Sequence, residues 1–154
     1  MKKRLNLFCV LMLLLMAIQV VMTFVMGADA FMEGWEKGRN AMPANTWLAL
    51  LEFFAEMFAI LAALVSFISF IRFILNVNRS QVFVWENANL LRLTGVGLLV
   101  MSLIVSADEY FSGASLIDVY DAYFGILIFS VFNLIVAEVF AIGLKLQEEQ
   151  DLTI

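Results

Sequence analysis

Trp47–Leu75 reads WLALLEFFAEMFAILAALVSFISFIRFIL, an apolar run broken only by Glu52, Glu56, Arg72 and two serines. A helix rises about 1.5 Å per residue, so roughly 20 apolar residues cross the hydrocarbon of a bilayer. This stretch exceeds that length, whereas strands of soluble proteins are far shorter. Three further runs flank it, at about residues 5–26, 90–107 and 122–144. All can cross, residues 90–107 only just. The pattern predicts an all-α polytopic membrane protein: a four-transmembrane-helix bundle forming one domain over residues 1–154.

Composition agrees and narrows the chemistry. The 154 residues are 64% hydrophobic and 15% charged, with mean hydropathy +0.97; soluble domains are about half apolar and a quarter charged. There is no histidine, which removes the commonest general base and the commonest transition-metal ligand. Cys9 is the single cysteine and lies in the first apolar run, so no intrachain disulfide can form. No Gly-rich phosphate loop or metal-ligand cluster is present in the sequence. Intramembrane proteases use a carboxylate pair shared between two helices, a geometry that Glu52 and Glu56 on one helix do not reproduce. The chain is expected to be no enzyme and to need no cofactor or metal.

The basic start Lys2, Lys3, Arg4, the first apolar run and Ala28-Asp29-Ala30 together resemble a secretory signal with its cleavage site. Signal h-regions are about 7–15 residues, and this run is longer, so an uncleaved first helix is expected. Orientation follows from the Lys/Arg bias of the short connections. With the N-terminus inside, Lys2, Lys3, Arg4, Arg72, Arg79, Arg92 and Lys145 face the cytoplasm, and only Lys37 and Arg39 face out. Asp29, Glu33, Glu36, Asp108, Glu109, Asp118 and Asp121 also face out. The topology is N-in/C-in, with outer loops 27–46 and 108–121, inner loop 76–89 and a cytoplasmic tail 145–154. The first outer loop contains the only proline, Pro43. The acidic outer loops could gather divalent cations through oxygen ligands, yet neither has EF-hand spacing.

Polar residues within spans face the bundle interior, because lipid offers no hydrogen bonds. Glu52 and Glu56 lie one turn apart, followed on the same side by Ala55, Ala59, Ala62, Ser66 and Ser69. Small residues let helix backbones approach, so this stripe is the expected packing face. The last span offers Ser130, Asn133, Ala137 and Ala141, with Glu138 on the flank; the third offers Gly95, Leu99, Ser102 and Ser106. The first helix, with Gln19 and Thr23 its only polar residues, would complete the bundle. Glu52, Glu56, Asn133, Glu138 and Arg72 are the candidate intramembrane polar site. Two carboxylates one turn apart repel and could bind a cation or relay a proton; the plainer reading is hydrated residues near the outer interface. Glu138 would be neutralised by Arg72, Arg92 or Lys145.

Two stretches carry a resemblance. Asn78-Arg79-Ser80-Gln81-Val82-Phe83, then Asn87 and Leu91-Arg92-Leu93-Thr94-Gly95, resemble the inner-loop pattern of domain of unknown function 2975. Its typical form is a Gly-x-Pro-Phe turn, an Asn, and a Leu-Arg pair entering a glycine-containing helix. Ser80 and Val82 here replace the glycine and proline. Ala137-Glu138-Val139-Phe140, Gly143 and Leu146 to Ile154 resemble the family's ending more closely. The resemblance implies a small bacterial cytoplasmic-membrane protein of four helices without assigned activity, whose relatives are often encoded beside a Cro/C1-type helix-turn-helix regulator.

The expected function is therefore a non-enzymatic regulatory or scaffolding partner of a cytoplasmic protein such as that regulator. The candidate partner-binding residues are Arg79, Phe83, Trp85, Asn87 and Arg92 of the inner loop, with Glu148, Glu149, Asp151, Leu152 and Ile154 of the tail. The alternative is a small transporter or channel subunit using the intramembrane carboxylates. Transporters commonly show internal repeats or Gly/Pro-broken helices, and neither is present in the sequence. Expected partners are the lipid bilayer, a cytoplasmic protein and further copies of the chain, without direct nucleic-acid contact.

Overall fold

Leu, Ala, Phe and Met dominate the apolar runs, and in lipid a helix satisfies its own backbone donors and acceptors. The computed structural model describes residues 2–40 and 46–151 and places four helices there: α1 Lys2–Asn40, α2 Thr46–Asn78, α3 Trp85–Phe111 and α4 Leu116–Asp151. Each is long and apolar enough to cross a membrane, and no strand is found among the described residues. The chain is an all-α integral membrane protein.

The helices run past the expected spans. α1 continues through the expected first outer loop as far as Asn40, and α3 begins at Trp85, inside the expected inner loop. α4 starts at Leu116 and carries the expected tail as helix to Asp151. At about 1.5 Å per residue, α1, α2 and α4 each reach roughly 50 Å or more, against about 30 Å of hydrocarbon. Hydropathy marks where lipid begins, whereas a helix ends only where its backbone is capped. Pro43, Leu152 and Ile154 lie outside the described residues.

The chain divides into two compact units, Met1–Leu50 and Leu51–Ile154. In the first, α1 shows Thr23 donating to the Gln19 carbonyl at 2.9 Å and Phe31 stacked on Trp35. In the second, the remainder of α2 packs with α3 and α4.

Glycine decides how closely these three helices approach. A Cβ at Gly95 would lie 2.9 Å from the Ser130 carbonyl oxygen and 2.7 Å from Leu134 Cγ of α4. A Cβ at Gly97, on the other side of α3, would collide with Ser66 Oγ and lie 2.9 Å from the Ala62 oxygen of α2. The expected small-residue stripes are the packing faces: Ala59, Ser66, Ser69, Ser102, Ser130, Asn133, Ala137 and Ala141 are all buried. Their polar atoms bond mainly within their own helices. Ser66 Oγ donates to Ala62 O, Ser102 Oγ to Leu99 O and Ser130 Oγ to Leu127 O. Thr94 Oγ1 lies 2.9 Å from Leu90 O and 3.4 Å from Ser66 O of α2. Aromatic edges join α2 to α4, through Phe70 with Phe129 and Phe73 with Phe140.

Candidate functional site

Helix α2 ends in a Schellman arrangement. The Ser80 N–H donates to Val77 O and the Gln81 N–H to Asn76 O, each at 3.0 Å. This requires Ser80 to be left-handed, with φ 67°. Val84, extended with φ −138° and ψ 146°, is the N-cap of α3 and supplies no side-chain cap. Glu86 occupies the first turn of α3, where a carboxylate complements the partial positive charge of a helix start.

Asn87 holds this turn from within. It is fully buried, and its Nδ2 donates to the carbonyl oxygens of Gln81 at 2.6 Å and Val82 at 2.7 Å. Its Oδ1 accepts from Asn76 Nδ2 at 3.0 Å. One amide thereby satisfies two turn carbonyls and ties them to α2. Phe83 stacks on Phe140 of α4 with ring centroids 5.4 Å apart, which pins the far side of the turn.

Polar links between helices surround it. Arg72 of α2 pairs with Glu86 of α3 at 3.0 Å. Arg92 of α3 makes a two-pronged pair with Glu138 of α4, Nε to Oε1 at 2.8 Å and Nη2 to Oε2 at 3.1 Å. Asn89 Oδ1 lies 3.3 Å from Arg92 Nη1. The Trp85 indole N–H donates to Glu148 Oε1 at 2.7 Å. Solvent-accessible pairs of this kind contribute little to stability, but planar two-pronged contacts fix relative helix register.

The structure separates the candidate intramembrane site. Glu52 and Glu56 are both exposed on α2. Asn133 is buried and donates to the Phe129 carbonyl of its own helix at 2.8 Å. Arg72 and Glu138 each take a different partner, Glu86 and Arg92. Of the three bases that could neutralise Glu138, Arg92 makes the ion pair.

The candidate partner-binding residues fare differently. Arg79, Phe83, Trp85, Glu148 and Glu149 are exposed, and Arg92 is partly so. Asn87 is the correction: it is no surface residue but the buried clamp of the turn. A polar residue near a membrane edge reads as surface until the carbonyls that it satisfies are seen. Asp151 is the last helical residue. Sequence reading missed Glu86, whose signal was an acid in a helix first turn, and the left-handed Ser80.

Near the α3–α4 turn, Glu109 Oε2 is buried without a hydrogen-bond partner among the described residues. No group of three or more carboxylate or thiol side chains able to hold a metal ion is found among the described residues.

No curated protein matches this chain, and no solved structure does. Residues 33–154 match the family model described as "Protein of unknown function (DUF2975)". That match spans both turns and all of α2, α3 and α4, and the chain belongs to this family.

Proposed function

We propose that the end of the molecule bearing the α2–α3 turn faces the cytoplasm of a bacterial cell, and that it is a preorganised docking platform for a cytoplasmic protein. The observation that carries this reading is the Trp85–Glu148 bond. It joins the turn to the exit of α4, so two segments distant in sequence present one surface. The Asn87 clamp and the Phe83–Phe140 stack hold that surface in shape before any partner arrives, which lowers the ordering cost of binding. Arg72, Arg79, Arg92 and Lys145 lie on this side, as the positive-inside rule requires of a cytoplasmic face. The role is non-enzymatic, regulatory or scaffolding, and the family resemblance favours a Cro/C1-type helix-turn-helix regulator as the partner.

Affinity capture tests this with the full chain and a chain ending at Lys145, each offered the purified regulator. The full chain is expected to retain the regulator and the shortened chain to lose it. Equal retention by both removes α4's exit from the surface. Substrate-dependent flux through liposomes holding the purified protein would overturn the regulatory reading in favour of transport.

A further inference from the structure

Trp85 and Glu148 are 63 positions apart in sequence, and their side chains meet at 2.7 Å. Both remain accessible, Trp85 with 37% of its surface exposed and Glu148 classed among the exposed residues. The indole N–H engages Glu148 Oε1. The second carboxylate oxygen, Oε2, adds further acceptor capacity to the pair. The result is an anionic acceptor held at the edge of an indole ring whose residue keeps 37% of its surface exposed.

That combination complements a guanidinium. A planar cation can stack on the indole while directing N–H groups sideways to a carboxylate, using cation–π attraction and a charge-assisted hydrogen bond together. A lysine ammonium has neither the plane nor the fork and gains only the point-charge term. In sequence the exit of α4 is acidic, Glu148 being followed by Glu149 and Asp151 and preceded by Lys145.

We infer that Trp85 and Glu148 form a recognition site for an arginine side chain presented by a basic cytoplasmic protein. The inference rests on the docking reading above and names the chemistry of its central contact. Asn87 and Phe83 act as positioning residues, because they hold the turn from which Trp85 begins α3. Aromatic and arginine side chains are the usual centres of protein interfaces, and this pair supplies the receptor half of such a centre.

The test uses the full chain in zwitterionic detergent micelles, carrying Trp35→Phe and Trp47→Phe so that Trp85 is the sole indole. Hexa-arginine and hexa-lysine are titrated while Trp85 emission is followed. Hexa-arginine is expected to perturb the emission with an affinity at least about fivefold higher than hexa-lysine, reflecting the stacking contribution. Glu148→Gln is expected to weaken hexa-arginine binding about tenfold, the scale of one charge-assisted contact. Glu148→Asp keeps the charge but moves the carboxylate from the indole edge, and is expected to abolish the preference for arginine. Equal affinity for the two peptides, or an undiminished preference in Glu148→Asp, overturns the inference. Arginine preference without capture of the regulator leaves this site standing and removes that partner; capture without arginine preference does the reverse.

Discussion

At the α3–α4 turn Gly113 takes φ 101°, and at the α2–α3 turn Ser80 takes φ 67°. The hydrogen bonds around them match. Gly113 N–H reaches Tyr110 O and Ala114 N–H reaches Glu109 O, as Ser80 reaches Val77 and Gln81 reaches Asn76. One pattern thus ends both helices, with glycine in one case and a residue carrying a Cβ in the other. The surroundings explain the difference. A Cβ at Gly113 would find nothing within 4 Å, and α4 is started from the turn itself by Ser115, whose Oγ accepts the Asp118 N–H at 3.2 Å. That reversal is specified locally. The α2–α3 reversal is specified from a distance, by Asn87 on its carbonyls and Phe140 against Phe83. A turn over-determined by its neighbours can tolerate a left-handed serine.

The contrast breaks most visibly at Asn87. Asn87→Ala leaves the Gln81 and Val82 carbonyls and the Asn76 amide without their partner in a half-buried place, which is expected to cost about 2 kcal/mol of stability. Denaturation of the purified protein in detergent would show a lowered midpoint. The bond from Trp85 to Glu148 should loosen with it, because Trp85 opens the helix that Asn87 anchors. A loss below about 0.5 kcal/mol would mean that water replaces the amide, and that the turn is no more determined from a distance than its counterpart.

Gly113→Ala should come second. The left-handed backbone disfavours a Cβ by about 1–2 kcal/mol, and reduced freedom of the unfolded chain offsets part of that. A net loss of about 1 kcal/mol is expected in the same measurement. Space is not the cause, since the site is open; a β-branched residue there should therefore cost more than alanine for backbone reasons alone.

Legibility followed the same division between local and distant causes. Four apolar runs were plain in the sequence, and the small-residue stripes proved to be packing faces because their spacing is a property of each helix alone. Helix ends were less legible. The charged residues Glu36 and Arg39 read as loop although α1 continues past them, and Trp85-Glu86-Asn87 read as loop although α3 starts there. A helix leaving the bilayer carries charge without ending, so polarity misleads at those positions. The pairing of Arg92 with Glu138 was one of three combinations the sequence allowed. Asn87 could not be placed at all, because its role depends on carbonyls that meet it only after the turn has closed. The accessible pair Trp85 and Glu148 were each singled out, but nothing in a one-dimensional pattern joins positions so far apart.

Ser80→Gly is the smallest of the expected effects and bears most directly on the comparison. The left-handed φ of 67° at Ser80 is a conformation that glycine adopts without the penalty of a Cβ. Replacing serine removes left-handed strain of about 1–2 kcal/mol, while the unfolded chain gains freedom worth about 0.4–1 kcal/mol. The net expectation is a stabilisation of about 0.5 kcal/mol, read as a small rise in the denaturation midpoint. The same substitution made in the Asn87→Ala background should stabilise more. There the clamp is gone and the turn must rely on its own backbone, as the α3–α4 turn does. Equal gains in the two backgrounds would show that Asn87 and the left-handed serine are energetically independent, and that distant contacts do not carry the strain at Ser80.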